Sequence, residues 1–162
     1  MKLAVLYHSE SGNTKKAAEY VRAGMEKVEG VTAVSYDIKD VTAEDMADVK
    51  GVAIGAPTYY AQVSWQMLKF LESPAIPLAD KLGGAFSTAN FSQGGSELVL
   101  QTLSMLMLTK GMLVYSAGTG HGRPYTHVGI NAFCQEGTID DREELLTLFG
   151  QRFAAKAKEL FG

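Results

Sequence analysis

A chain of 162 residues that is 46 % apolar fits one domain, 1–162, with a single well-buried core, and its only early apolar run, residues 3–6, is too short to span a membrane and has no signal-peptide cleavage region. A formal charge of −3 with no long basic run argues against nucleic acid as a partner. The lone cysteine, Cys134, excludes an internal disulfide, and the scattered His8, His121 and His127 offer no metal-ligand spacing, so the expectation is a cytoplasmic protein without a metal or a membrane span.

Residues 3–7, Leu-Ala-Val-Leu-Tyr, form a continuous apolar run between polar turn formers, which predicts a strand buried on both faces. From residue 14 to about 28, Ala17, Ala18, Val21, Met25 and Val28 recur at helical spacing, and Gly30 supplies a stop. The unit repeats with a second strand over 31–36, a short polar helix over about 42–46 and a third strand over 52–55. A compact helix over 64–71 ends near Pro74, a fourth strand covers 84–87, and a helix over 97–110 closes at Gly111. Residues 112–115 make a fifth strand. After a long irregular segment, residues 140–161 place Leu145, Leu148, Phe149, Phe153, Ala157 and Leu160 at helical spacing behind an acidic first turn.

Strands alternating with helices imply an α/β fold, a parallel sheet covered on both faces and joined by right-handed crossovers. Ligands in such sheets bind beyond the carboxyl ends of the strands. That rule singles out the loops 8–14, 56–64 and 88–96. In the first, Ser9, Ser11 and Thr14 carry hydroxyls and Gly12 allows a tight turn, with nothing basic before Lys15. A helix N-terminus holds unpaired N–H groups and about half a positive charge, so amides and hydroxyls there bind a phosphomonoester without Lys or Arg. Simple helix capping needs only one such residue, Ser11 or Asn13. The loop lacks the Gly-Lys-Ser/Thr ending of a nucleoside-triphosphate loop and the Gly-x-Gly-x-x-Gly of a dinucleotide loop.

Ser9-Glu10-Ser11-Gly12-Asn13-Thr14 resembles the Ser/Thr-x-Ser/Thr-Gly-x-Thr loop with which the flavodoxin-like superfamily holds the FMN phosphate. Residues 55–67, beginning Gly-Ala-Pro-Thr-Tyr-Tyr, and residues 86–97, with Gly94-Gly95-Ser96-Glu97, resemble two further loops of the tryptophan-repressor-binding-protein type of NAD(P)H:quinone oxidoreductase. Gly111-Met112 matches a Gly-Met pair before that family's fifth strand. The resemblance implies a flavodoxin-like three-layer sandwich with a five-stranded sheet in the order 2-1-3-4-5. It also implies that Ser9, Ser11, Gly12, Asn13 and Thr14 form the phosphate loop, that Pro57, Thr58, Tyr59 and Tyr60 border the isoalloxazine ring, and that Ser87, Thr88, Asn90 and Gly94 line its other edge. Departures are Thr109-Lys110 where the family has paired histidines, Ala61 where it often has glycine, and the wording of segment 116–139.

The implied activity is hydride transfer from NADH or NADPH through FMN to a quinone-like acceptor; the alternative is an electron-transfer protein that docks on a redox partner protein. Flavin chemistry makes no catalytic acid or base compulsory, and none is assigned, although Tyr125, His121 and His127 lie where an acceptor would dock. A receiver-like signalling domain would need acidic residues after the first strand, where Tyr7-His8-Ser9 stands. The helix over 96–110 is apolar at nearly every position from Leu98 to Leu108, which is satisfied by full burial in the monomer or by burial between subunits, and favours a homodimer or homotetramer.

Overall fold

A computed structural model of the chain describes residues 1–134 and 137–162. In chain order the elements are β1 (Lys2–Tyr7), α1 (Asn13–Met25), β2 (Thr32–Asp37), β3 (Val49–Tyr59), β4 (Gln62–Val63), α2 (Trp65–Glu72), β5 (Leu82–Ala89), α3 (Ser96–Thr109), β6 (Leu113–Val114), β7 (Ile130–Phe133) and α4 (Glu143–Phe161). Single 3-10 turns occupy Thr119–His121 and Asp140–Arg142. The main path of the sheet is β2-β1-β3-β5-β6, parallel throughout, which is the expected 2-1-3-4-5 order of the five foreseen strands.

Side chains of a strand alternate between faces, so β1 feeds two cores. Leu3, Val5 and Tyr7 pack with Ala17, Val21 and Met25 of α1 and Phe149 and Phe153 of α4. Ala4 and Leu6 pack instead with Met67 and Leu71 of α2 and Val99, Leu103 and Met107 of α3. Every residue of β5 is buried. Two-sided burial is why these strands read as unbroken apolar runs rather than as alternating ones.

Helices α1 and α4 meet through a reciprocal pair of glycines. A Cβ on Gly24 would lie 2.0 Å from the Thr147 carbonyl oxygen, and one on Gly150 would lie 2.0 Å from the Val21 carbonyl oxygen. The two backbones therefore touch directly, and each helix fixes the other's height over the sheet.

Four elements depart from the sequence expectation. Residues 42–46 form turns rather than a helix, because the Thr42 N–H and hydroxyl donate to Asp45 Oδ2 at 2.9 and 2.7 Å and the chain re-enters the sheet at Val49. Helix α1 stops at Met25, since Lys27 N–H and Val28 N–H donate three residues back, to Gly24 and Met25 carbonyls, and loosen the last turn before Gly30. Strand β3 runs on through Pro57 to Tyr59 and turns back as β4, so the expected loop 56–64 is a hairpin. Finally, the segment expected to be irregular contains β7. Strand β6 pairs β5 only at Leu82 and Gly83, and β7 pairs with the remaining half, from Phe86↔Ile130 to Ala89↔Phe133. A fully buried strand needs partners along its length, and β7 supplies them.

On α3, Leu98, Met105 and Leu108 remain 47 %, 60 % and 52 % exposed, so burial inside the monomer does not account for this helix's apolar character. Among the described residues no helix is long and apolar enough to cross a membrane.

The glycine contact yields a prediction. Gly150→Ala should lower unfolding free energy by about 2 kcal/mol or more, because the obstructing atom is backbone and cannot rotate away. Gly120→Ala, with nothing within 4 Å, should leave the urea midpoint nearly unchanged.

Candidate functional site

The carboxyl ends of β1, β3 and β5 converge on one edge of the sheet, as the doubly wound topology requires of a ligand site. The ladder between β1 and β3 runs one step past the strand, with His8 N–H donating to the Gly55 carbonyl at 3.3 Å. Gly12 then takes the left-handed conformation (φ +91°) and its N–H donates to Ser9 Oγ at 3.1 Å, closing the loop on itself. Lys16 N–H donates to the Gly12 carbonyl at 2.9 Å and starts α1. Among the described residues no side chain caps this helix. The capping role open to Ser11 or Asn13 is therefore unfilled, and the first amides of α1 stand free of side-chain partners at the positive end of the helix dipole.

Thr14 is 2 % exposed and its hydroxyl is 2.8 Å from that of Thr88, which ties the α1 start to the end of β5. The Asn13 amide donates to the Gly137 carbonyl at 3.4 Å. Ser11 is exposed. Between these groups lies a recess of about 100 Å³ bordered by Ser11, Asn13, Thr14, Pro57, Thr88 and Cys134. Glu10 also borders it, but its carboxylate accepts from Gln66 Nε2 at 3.0 Å and lies 3.2 Å from His8 Nε2. His8 Nδ1 lies 3.0 Å from Ser64 Oγ, so the one acid in the loop is drawn toward α2.

Continuous with the recess is a cleft of about 460 Å³ between the β3–β4 hairpin and the β5–α3 loop, lined by Thr58, Tyr59, Tyr60, Asn90, Phe91 and Gly94. The hairpin turn is Tyr60-Ala61, both left-handed at φ +49° and +62°. Such two-residue turns are normally made by Asn-Gly or Gly-Gly, and each non-glycine costs about 1 kcal/mol or more. The turn is braced from behind, because a Cβ on Gly95 would lie 2.4 Å from Ala61 Cβ. Bracing leaves the Tyr60 ring fully in solvent at the mouth of the cleft and Tyr59 39 % exposed on its wall. Burial first, and then the Glu10 charge, hold the Tyr59 phenol above its ordinary pKa, so it stays a neutral donor.

One polar atom in the cleft is unexplained by the protein alone. Thr58 Oγ1 is buried with no hydrogen-bond partner among the described residues. Such an orphan costs about 1–3 kcal/mol, and it points to a polar group of a ligand as its missing partner.

The flavodoxin-domain family model matches residues 4–109. The chain belongs to the flavodoxin family. A flavodoxin of Clostridium saccharobutylicum is 37 % identical over 163 residues, covering 99 % of this chain and 100 % of that protein. An NAD(P)H dehydrogenase (quinone) of Cupriavidus metallidurans is 28 % identical over 156 residues, covering 79 % of this chain and 73 % of that enzyme. Among solved structures, a flavodoxin, WrbA-like protein from Agrobacterium tumefaciens superposes with a TM-score of 0.77 at 27 % identity, covering 98 % of both chains.

In this flavodoxin-family chain, Ser11, Asn13, Thr14, Pro57, Thr58, Tyr59, Tyr60, Thr88, Asn90 and Gly94 are brought together around the recess and cleft. Gly12 supplies the turn and Ser9 closes it from the side facing α2. Ser87 is not brought there: fully buried, its hydroxyl donates to Asn131 Oδ1 of β7. Alternation along β5 turns it away from its neighbour Thr88. Sequence reasoning missed Phe91, which is 74 % exposed beside the cleft, and Cys134, whose thiol burial pushes up toward an unreactive, protonated state. An exposed aromatic in a strand-end loop was the available signal for Phe91; Cys134 arrives by the β7 pairing, which left no periodic trace.

Thr58→Val should keep or raise the stability of the ligand-free fold, by up to about 1 kcal/mol, since it deletes an unpartnered buried hydroxyl at constant shape. A thermal-melt shift downward by several degrees would show that the hydroxyl is satisfied within the protein.

Proposed function

We propose that residues 1–162 act as one FMN-binding domain that carries electrons as a flavodoxin-type redox protein. The observation that carries this reading is the N-terminus of α1, uncapped among the described residues and set behind the Ser11 and Thr14 hydroxyls at the foot of an aromatic-walled cleft. The residues present fit the group. Free α1 amides with the Ser11 and Thr14 hydroxyls suit a phosphomonoester, the Thr58 hydroxyl suits the polar rim of the ring, and Tyr60 offers a face for stacking. When bound, FMN supplies reversible electron acceptance. The chain's own part is to hold the phosphate without a counter-cation, to orient the ring between Tyr59-Tyr60 and Asn90-Gly94, and to keep Glu10 turned aside.

Electron carriage is preferred because the flavodoxin relative is matched over its full length, whereas the quinone dehydrogenase extends beyond the region shared with this chain. A second reading, oxidation of NADH or NADPH with delivery to a quinone-like acceptor, is favoured by that dehydrogenase's 28 % identity and by the ordered excursion between β6 and β7. Tyr125 and His127 there, with Gln101 of α3, border a cleft of about 440 Å³.

The same proposal assigns the exposed seam of α3 to a second copy of the chain. Leu98, Gln101, Met105 and Leu108 follow the i, i+3, i+7, i+10 spacing by which helices pair along one face. Light scattering should give twice the 17.4 kDa chain mass or a higher multiple, falling toward 17.4 kDa in Met105→Lys; a wild-type monomer overturns the assignment.

Purified or reconstituted protein should show the flavin's visible absorption band. Anaerobic NADH and NADPH should leave that band oxidised; bleaching that benzoquinone reverses would select the second reading, and failure to reconstitute with FMN would sink both. Replacing Ser11 and Thr14 by Ala should weaken FMN by about 1 kcal/mol per lost hydrogen bond, roughly fivefold each, read by recovery of free-flavin fluorescence.

A further inference from the structure

Behind the phosphate loop, on the side away from the flavin cleft, lies a second cleft of about 610 Å³ between α2 and the carboxyl end of β2. Its size falls within the roughly 300–1,000 Å³ range of small-molecule sites, and it opens at a strand terminus, where doubly wound sheets take ligands. The cleft shares Glu10 with the recess at α1, the two lying on either side of the loop, so they can be filled together.

The lining is unusual for a surface groove. Trp65, Lys69 and Phe70 share the outer face of α2, while Met67 and Leu71 on its other side are in the core. The Trp65 ring is 66 % exposed, an amount of indole that a surface helix rarely leaves wet without a use for it. Opposite stand Ile38 and Lys39, held in place because Ile38 N–H donates to the Tyr7 carbonyl at 2.9 Å and Lys39 N–H to Asp37 Oδ1 at 3.2 Å. Lys69 forms no ion pair among the described residues. Lys39 is 3.5 Å from Asp37 Oδ2, which leaves that carboxylate with spare acceptor capacity at the end of β2. The Glu10 carboxylate already meets Gln66 and His8, and Gln66 Oε1 is buried without a partner among the described residues.

The geometry points to a nucleoside monophosphate as the occupant. A flat base stacks on Trp65 against Phe70, the ribose diol donates to Asp37 as a sugar diol does to the acidic residue ending the second strand of dinucleotide folds, and the phosphate meets the Lys69 and Lys39 ammonium groups. The aromatic, acidic and basic groups at Trp65, Phe70, Asp37, Lys39 and Lys69 then each have a matching part of one ligand. The site stands independently of the flavin reading, since it lies on the other side of the phosphate loop.

Trp65 is the chain's only tryptophan, so its fluorescence is a single-site signal, with bound flavin lowering the starting level by energy transfer. Adenosine 5′-monophosphate should quench it saturably, in both FMN-free and FMN-reconstituted protein, with the flavin spectrum unchanged. Adenosine and the 2′,3′-dideoxy monophosphate should each bind at least tenfold more weakly. Lys69→Glu should weaken adenosine 5′-monophosphate at least tenfold while Lys27→Glu, an equal charge change beyond the far end of α1, leaves it unaltered; calorimetry with Trp65→Ala should show the same loss without relying on the indole signal. No quenching at millimolar nucleotide, equal binding of adenosine, or displacement of FMN by the nucleotide would each overturn the proposal, and FMN titration alongside keeps failure of the flavin site separate.

Discussion

The backbone ladder between β3 and β5 continues to Pro57↔Thr88, two residues beyond Gly55, the last partner of β1. That extension lifts a pair of strand ends above the core and makes them the two walls of the cleft. Gly55 permits it, because the Phe86 ring occupies the space a Cβ there would need, 2.0 Å away. Proline is confined to strand ends and edges, and Pro57 stands where one neighbour has already left the sheet. Past it the chain folds back as β4, and the braced Tyr60-Ala61 turn is the outcome. The Thr14–Thr88 contact then ties the phosphate loop to the same frame, so three chain segments far apart in sequence share one rigid mount.

Much of this was legible in the residues. Two-sided burial writes strands as apolar runs, which is why β1, β3 and β5 could be anticipated, while their order came from the resemblance carried by Ser9 to Thr14 and the two later loops. The extension of β3 was not legible, because Pro57 is a residue strands avoid and its strand geometry is imposed by pairing with Thr88 rather than by propensity; the end of β5 was hidden because Ser87-Thr88-Ala89-Asn90 breaks the apolar run. Strand β7 escaped for the same reason: Ile130–Phe133 is a short mixed run stabilised by the open half of β5. Ser87 was placed at the cleft on resemblance, and the period-2 alternation of a strand sends it to the other side. Gly24 and Gly150 gave no signal at all, since a glycine inside a helix looks the same whether it is tolerated or required.

The electrostatics of the site rest on dipoles and neutral donors rather than ions. No Lys or Arg precedes Lys15 in the loop, and Lys16 is bound to Asp140. An anion held by amides and hydroxyls is held directionally and is less sensitive to salt than one held by flexible ammonium groups. The network His8–Ser64 and Glu10–Gln66 draws a carboxylate toward α2 and locks α2 to the loop.

The place beside β5 is filled by two separate short strands, β6 and β7, each hydrogen-bonded to its own half of the same partner. The chain between them leaves the sheet and returns to the same edge. Its length is therefore uncoupled from the register of everything else: residues 118–128, none of them buried, can be lengthened, shortened or exchanged at the modest entropic cost of a surface loop, without shifting the β1–α1 loop or the cleft. That edge is a socket in which the intervening chain can be rewritten while the sheet and the cleft stay as they are.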